Sequence, residues 1–546
     1  MVTLLKITDT GYFHLYDTDM ATLVFSCQAR GIFAYLLFLL IAQSSGLNIL
    51  VNAILGKGSH FHLSASISEQ LVKRGYNVTY LVSNAFEDKI RDGQYGHMFH
   101  LEVFTHPIPV KEVHEMFDNL TRLAFSPPDP MKEFRITGKL LEARKNDCDA
   151  LLNDEKLMSR LRSSNFSAVL YDMTWLCGAI IAEELGIPLF AVCPFPNPCM
   201  VTKSAGSVFN PSFLPVFAAP FSNKMTFYQR LINTIMYVLI SIAGRVNFLD
   251  IYSNITDRYG KSPSEIFGQS KLWLVNSDFA GEYPCALSPN VISVGGLTTR
   301  DPGPLPPDLE DFVQGSGIHG IIVCSFGSFL NMTDDHISAF QRFSRVFGRL
   351  PQRVVWQVAG KLSFPLPPNV KILPWLPMND LLGHPKTKAL FYHGGHNTYY
   401  EAIYNGVPTI VKPVYGDQKD NAMRSVHLGI GVTISKDFTE YELYNALRTI
   451  TTNVSYTETA SRLSGIFRDR PMRPAQRAAF WIDHVIKYGS DHLGPLENLN
   501  VVQYYLLDVI AFVLLVAGAT MYGIVKCVTM GCRMLCCRQV VKVKAD

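Results

Sequence analysis

One rhythm constrains the fold more than any other feature of this chain. Short, uninterrupted apolar runs alternate with segments of helical period, and they do so in both halves. "LNILVNAIL" reads as a buried strand, and the loop "GKGSH" follows it. Next comes a helix with Leu63, Ile67 and Leu71 on one face, closed by Gly75, and then a second strand, "NVTYLVS". That is a βαβ unit. The unit recurs as "FSAVLYD", the helix "WLCGAIIAEELG" ending at Gly186, and "PLFAVC". In the second half "HGIIVC", "RVVWQV", "KALFYH" and "PTIVKP" are the strands, and "DDHISAFQRFSRVFGRL" is a helix. Thr439 and Glu442 form a capping-box pattern ahead of another helix. Strands that alternate with helices build parallel sheets covered on both faces. At 546 residues the chain is too long for one core. The expected fold is therefore α/β, with two Rossmann-like doubly wound domains. The Pro-rich stretch from Gly295 to Phe312 is the linker candidate.

Both ends carry apolar segments that fit neither domain. Gly31 to Gly46 follows Arg30, is apolar through its centre and ends in small residues. Such a pattern predicts a secretory signal cleaved before Ser45, with an uncleaved anchor or a buried strand as the alternative. The residues before it are unusual for a signal, and Met20 is a candidate start. Near the other end Val509 to Val525 is an uncharged run that, with Tyr504 to Leu507, is long enough to span a bilayer. Lys526, Arg533, Arg538, Lys542 and Lys544 follow it, so the positive-inside rule predicts a cytosolic tail. A core helix is the alternative. Between them, "LINTIMYVLISIA" is too short to span and reads as a core helix or a membrane-surface helix.

The boundaries expected are an extension and signal over 1–45, a first Rossmann-like domain over 46–300 and a second over 301–490. A juxtamembrane linker (491–505), a transmembrane helix (506–525) and a basic tail (526–546) complete the chain. Asn77, Asn119, Asn165, Asn254, Asn331 and Asn453 stand in glycosylation sequons. Cys193 and Cys199 are spaced to pair or to stay as buried thiols, and no C-x-x-C pair precedes the tail. A net charge of +3 without a basic, aromatic-laced stripe gives no footprint for nucleic acid.

Ligands of open α/β sheets bind beyond the carboxyl ends of the strands. "FYHGGHNTYYEAIYNGVP" lies at such an end: strand, then His393-Gly394-Gly395, then a helix stopped by Gly406. A helix N-terminus attracts phosphate, and glycine lets the backbone come close. His393 and Asn397 can donate to phosphate oxygens there, and Glu401 can accept from ribose hydroxyls. Ser325 and Ser328 in "CSFGS" can donate as well. Trp375 offers a flat face for a base, and Asp417 with Gln418 suits sugar hydroxyls.

From Trp375 to Gln418 the sequence resembles the signature box of UDP-dependent glycosyltransferases, with Trp375, His393, Asn397, Glu401, Asp417 and Gln418 at the motif's positions. "NDLLGHPKTKA" and "EAIYNGVP" are especially similar to the animal UDP-glucuronosyltransferase branch, and the likeness runs through "RAAFWIDHVIKYG" to the basic tail. The resemblance implies two domains facing a cleft, the GT-B arrangement. It also implies uracil on Trp375, ribose on Glu401, diphosphate at His393 and Gly395, and the sugar on Asp417–Gln418. Two positions depart from the pattern. Met378 stands where glutamine usually helps hold the nucleoside, and His396 replaces a serine or threonine; both affect what is expected of the donor site.

The first half would then bind the acceptor. His60 sits in an "SH" pair beyond the first strand, where the resemblance implies the catalytic base, and Asp172 matches its partner aspartate. Histidine titrates near neutral pH, and an aspartate fixes its tautomer. By residue chemistry alone His60 also reads as a capping or core histidine, with His62 a competitor. Asp147-Cys148-Asp149 spells a metal-binding D-x-D but reads as solvated surface, and no metal is expected.

The expected activity is inverting transfer of a hexosyl or glucuronosyl group from a UDP-sugar to a small lipophilic hydroxyl compound, or to a lipid or sterol. Residence in the endoplasmic reticulum membrane is implied, type I and single-pass, with the catalytic domains lumenal. The rival is a lipophile-binding relative with impaired catalysis, for which Met378 is the best support. Lys261 aligns loosely with a basic residue of glucuronate users. Membrane lipid and a second copy of the chain complete the partners considered.

Overall fold

The computed structural model describes residues 2–7, 13–18, 47–52, 58–122, 129–194, 204–217, 219–244, 249–327, 337–360, 362–435, 437–494 and 500–543. The signal-like segment, Ser328, Asn331 and Cys199 lie outside the described residues. Two strands near the start, Val2–Ile7 (β1) and Phe13–Thr18 (β2), pair antiparallel as a separate ribbon.

Two parallel sheets organise the rest. The first is built from Asn48–Asn52 (β3), Asn77–Ser83 (β4), His100–Phe104 (β5), Phe166–Asp172 (β6), Leu189–Cys193 (β7), Leu272–Val275 (β8) and Val291–Ser293 (β9). Its spatial order is β5-β4-β3-β6-β7-β8-β9. The second uses Ile321–Ser325 (β10), Arg353–Gln357 (β11), Val370–Leu373 (β12), Thr387–Tyr392 (β13), Thr409–Val411 (β14) and Gly431–Thr433 (β15), in the order β12-β11-β10-β13-β14-β15. In each sheet the chain starts centrally, winds outward to one edge, then returns to the other side of its first strand. The order therefore reverses between β3 and β6 and again between β10 and β13. Those are the switch points at which doubly wound sheets bind ligands.

Burial on both faces explains the unbroken apolar runs. Side chains alternate along a strand, so Ile49 and Val51 pack with Ala168, Leu170 and helix residues Leu63, Ile67 and Leu71 in one layer. Leu50, Val169 and Tyr171 enter the opposite layer. In the second sheet Ile322, Cys324, Ala389 and Phe391 face one core, and Ile321, Val323, Leu390 and Tyr392 the other.

The helix Cys177–Leu185 ends at Gly186, which is left-handed (φ 64°), as the sequence indicates. It lies so near β6 that a Cβ on Gly178 would sit 2.3 Å from Tyr171 Cβ. Thr439 caps the helix Glu440–Thr452 by accepting from Glu442 N at 3.1 Å. The return half of the expected capping box is absent, because the Glu442 carboxylate accepts from Ser435 instead. Part of the Pro-rich linker candidate is helical, over Pro307–Gln314. The helix Pro474–Tyr488 follows the second sheet in sequence but packs on the first: Ala478, Ala479, Ile482 and Val485 join the core of β3 and β4. Tyr76 Oη donates to Asp483 at 2.6 Å beside it.

The helix Phe227–Gly244 combines the two readings its sequence allows. Asn233, Met236, Tyr237 and Ile240 turn inward, and Asn233 accepts from Val216 N and donates to Pro211 O and Leu214 O. Phe227, Tyr228, Leu231, Ile232, Ile235, Val238 and Leu239 form an exposed apolar outer face. Gly494–Asp546 is a unit of its own. It contains the helix Leu507–Val543, in which Leu507–Met534 is long and apolar enough to cross a membrane.

Cys148 and Cys177 form a disulfide that fastens the helix Pro130–Leu152 to the segment leaving β6. Nothing in the cysteine spacing pointed to this pairing. Cys193 is a buried free thiol, the second of its two alternatives. The bond closes a loop between residues 29 apart in sequence. Replacing both cysteines by alanine should lower unfolding stability by about 3 kcal/mol, measured by denaturant titration without reductant. Unchanged stability would mean that the crosslink constrains nothing.

Candidate active site

The two switch points face one cleft of about 1240 Å³. His60 stands near the start of the helix Gly58–Lys73, which follows β3, and Asp172 ends β6, the strand beside it. Parallel pairing brings the two together although they are 112 residues apart, and His60 Nδ1 lies 2.6 Å from Asp172 Oδ2. The other oxygen, Oδ1, accepts from Thr174 N at 2.9 Å and Thr174 Oγ1 at 2.6 Å. The carboxylate is thus fixed from both sides. Burial disfavours a charged His60, but the Asp172 charge and hydrogen bond outweigh it and raise the His60 pKa above 6.5. For Asp172 burial acts upward, yet His60 and Thr174 together lower its pKa. His62 lines the same cleft, has its pKa lowered by burial and has no carboxylate partner among the described residues.

Across the cleft the helix His396–Asn405 starts where β13 ends. Gly394 is left-handed (φ 97°), and a Cβ there would meet Gln418 O and Val411 Cγ1 at 2.9 Å. A Cβ on Gly395 would lie 2.6 Å from His393 Nε2. No side chain caps this helix, so its first amides are left for a ligand. Asn397 joins the two sides: its Nδ2 donates to Ser59 O, beside His60, at 3.1 Å, and its Oδ1 accepts from Asn276 Nδ2. His393 is held neutral by burial, with a pKa of about 4, and its Nδ1 lies 3.5 Å from Ser325 O.

Glu401 is buried one turn further on. Its Oε1 accepts from Thr298 Oγ1 at 2.9 Å and Asn379 Nδ2 at 3.4 Å, while burial lifts its pKa to about 7. Trp375 is 59% exposed and Met378 lies near it, both on the cleft wall. Asp417 accepts from Asn421 Nδ2 at 3.1 Å, has its pKa raised to about 6 by burial, and feels the charge of His60. Gln418 Oε1 accepts from the amides of Val414 and Tyr415.

His60, Ser325, Trp375, Met378, His393, Gly395, Asn397, Glu401, Asp417 and Gln418 therefore line one cavity, with Asp172 behind His60. The Ser325 hydroxyl donates to Gln357 Oε1 at 2.7 Å and so holds the turn. His396 is buried between the two sheets, with Nε2 donating to Asn276 O at 2.6 Å and Nδ1 lying 2.9 Å from Asn421 Oδ1. Asp147 corrects the reading of the D-x-D as surface: it is buried against His106 at 2.5 Å, and only Asp149 is exposed. Lys261 pairs with Glu183 at 2.6 Å and does not line the cleft. Among the described residues no group of three or more His, Cys, Asp or Glu side chains is placed to hold a metal. Thr298 and Asn379 were missed, although Asn379 directly follows Met378 in sequence.

Two parallel sheets with their switch points facing across a cleft are the GT-B arrangement. Solved structures share the architecture. The glycotransferase of kitacinnamycin aligns with a TM-score of 0.56 at 19% identity, covering 81% of this chain and 99% of that one. Os79 from O. sativa, in complex with U2F and trichothecene, aligns at 0.55 and 16% identity, covering 80% and 99%. Residues 48–544 match the family model described as UDP-glucoronosyl and UDP-glucosyl transferase. Mouse UDP-glucuronosyltransferase 1A6 is 35% identical over 488 residues, 87% of this chain and 90% of that protein. Rat UDP-glucuronosyltransferase 2B17 is 35% identical over 489 residues, 86% and 90%. The chain belongs to this family of UDP-sugar-dependent transferases.

Glu401 carries a folded-state pKa above its ordinary value, so its stabilising contribution is complete below pH 4.5 and is lost as pH rises through about 7. Glu401→Gln keeps an acceptor for Thr298 without the charge. At pH 8 the variant should be more stable than wild type by on the order of 2 kcal/mol, and near pH 4.5 the two should match, as read from thermal midpoints. A variant less stable at both pH values would contradict this account.

Proposed function

We propose that the chain moves a glucuronosyl or glucosyl group from its UDP-sugar to a small lipophilic hydroxyl compound, with inversion at the anomeric carbon. The observation that carries this reading is the His60–Asp172 pair set opposite an uncapped helix N-terminus in one cleft. Uracil stacks on Trp375 and the ribose hydroxyls donate to Glu401. The diphosphate sits on the first amides of the helix His396–Asn405, where the helix dipole favours negative charge. His393 stands beside it, and the phosphate charge opposes the effect of burial on that ring. Asp417 and the Nε2 of Gln418 hold the sugar.

His60 takes the acceptor's proton on Nε2, since Nδ1 is bound to Asp172. The acceptor oxygen then bonds to the anomeric carbon as the bond to UDP breaks, and the electron pair leaves with the diphosphate. An α donor gives a β product. Asp172 stabilises the imidazolium that forms. The placement we propose is a type I protein of the endoplasmic reticulum with its two-sheet body in the lumen. The apolar outer face of the helix Phe227–Gly244 suits it to lie against lipid. Met378 favours a second reading, a lipophile-binding relative with weak donor affinity, because a thioether gives the nucleoside no hydrogen bond of useful strength.

Full-length protein, detergent-solubilised and offered UDP-glucuronate, UDP-glucose and a panel of phenols, tests the choice. Product with any donor supports transfer; neither product nor UDP binding sinks it. His60→Ala should cut kcat by about 10²–10⁴-fold while UDP affinity stays unchanged. Because the base must be neutral, kcat/KM should rise with pH through an inflection above 6.5. Asp172→Asn removes the charge that raises this pKa, so its inflection should move to lower pH and its plateau should fall. An inflection that does not move would remove Asp172 from the pair. Met378→Gln should tighten UDP binding in calorimetry. Equal or weaker binding would argue against placing Met378 beside the nucleoside.

A further inference from the structure

We propose that Arg144 makes the acceptor side of the cleft a carboxylate subsite, so that the preferred acceptors are lipophilic hydroxyl compounds that also bear a carboxylate. This deepens the acceptor class of the transfer reading and rests on it. Arg144 projects from the helix Pro130–Leu152 into a wall formed mainly by Leu140, Leu141, Met173, Leu176 and Tyr252, with Thr174 beside it and Glu133 and Thr137 further back on the same helix. A guanidinium stays charged in any protein environment, and an apolar cavity that held only neutral ligands would be served better by leucine or methionine.

The cation is built in place but is not used up. Its own carbonyl accepts from Trp175 Nε1 at 3.1 Å, and one turn on Cys148 is bonded to Cys177. One Nη donates to Thr174 O at 3.1 Å, and Nε is buried without a hydrogen-bond partner. Among the described residues no carboxylate lies within 4.0 Å of the guanidinium. Asp172 and Asp147 both act on its charge, yet each is bonded to a histidine, His60 and His106 respectively. The Nη hydrogens that Thr174 does not take can therefore donate to an oxyanion from the ligand.

Its position fits a bifunctional acceptor. Thr174, which receives the Arg144 bond, is the residue whose N and Oγ1 hold Asp172. A carboxylate on Arg144 thus leaves the acceptor's hydroxyl, at the other end of a short apolar spacer, within reach of His60. A role confined to bracing Thr174 makes a different forecast. It would act on every acceptor alike, through the dyad.

The test compares 4-butylphenol with 4-(4-hydroxyphenyl)butanoate on full-length protein in phosphatidylcholine nanodiscs. Arg144→Met should raise KM for the butanoate about 10-fold or more, with kcat kept, and change the neutral phenol less than about 3-fold. Arg144→Lys, a point charge without the fork, should recover part of the loss. UDP affinity checks that each variant is folded. Equal losses on both acceptors, or none on either, overturn the proposal. Equilibrium binding of the butanoate without UDP-sugar decides the same question independently of turnover. A Kd about 10-fold weaker in Arg144→Met sustains the subsite even if no UDP-sugar supports transfer, and an unchanged Kd refutes it.

Discussion

One hydrogen bond shows what the architecture must satisfy. His60 and Asp172 lie 2.6 Å apart only because β3 and β6 are parallel neighbours whose chains leave the sheet at the same end. Parallel strands need crossover helices, and a sheet wound outward on both sides of its first strand has one place where adjacent crossovers diverge. The second sheet repeats the geometry with β10 and β13, where Ser325 and His393 emerge side by side. The cleft is the space between these two divergences. A nucleophile's base and a leaving group's anion site can face each other there without either being carried on a long loop.

Holding such a site together has an electrostatic cost, and the structure shows where it falls. Burial lifts Glu401 and Glu282 to about 7 and Asp417 to about 6. Two of these carboxylates face the cleft, where a ligand's hydroxyls would replace lost hydration. Glu282 instead belongs to the seam between the sheets, with Arg424 at 2.5 Å and Tyr400 donating to it. His396 enters the same seam through Asn276. Its departure from the usual small hydroxyl residue is thus met by a contact that ties the donor-side helix to the strand end of the opposite sheet, and the imidazole is fully engaged by protein.

Apolar surface divides into two kinds. Most of it is consumed by the four layers that sandwich the sheets. Two further stretches stay outside, on the helix Phe227–Gly244 and, in a separate unit, on Leu507–Met534. A helix apolar around its whole circumference is stable only where something other than water covers the second face. That condition is what makes the proposed lipid contact of this helix a matter of burial, and Ile240 of the same helix also lines the cleft. The same helix thereby borders both the proposed lipid contact and the acceptor's space.

Strand identity was legible wherever a run was long and wholly apolar, as in β6, whose limits Phe166 and Asp172 the sequence marks without ambiguity. The short or partly polar strands β5, β8, β9, β12 and β15 were not, since three to five residues carry too little period to register. On the donor side, Trp375 through Gln418 could be read because turn, glycine pair and helix are contiguous in sequence, so local chemistry implies local geometry. Long-range pairings left no such trace. The Cys148–Cys177 bond, the burial of Asp147 against His106, the Thr298 and Asn379 contacts to Glu401, and the return of Pro474–Tyr488 to the first sheet all join segments that become neighbours only after the sheets form. The sequence by itself determined the sheet type, the apolar termini and the family, because those follow from period and from a contiguous motif. Only the tertiary structure decided which carboxylate meets which histidine, which cysteines join and where Arg144 meets the cavity, because proximity across a hundred residues is set by strand order and is not encoded in any local run.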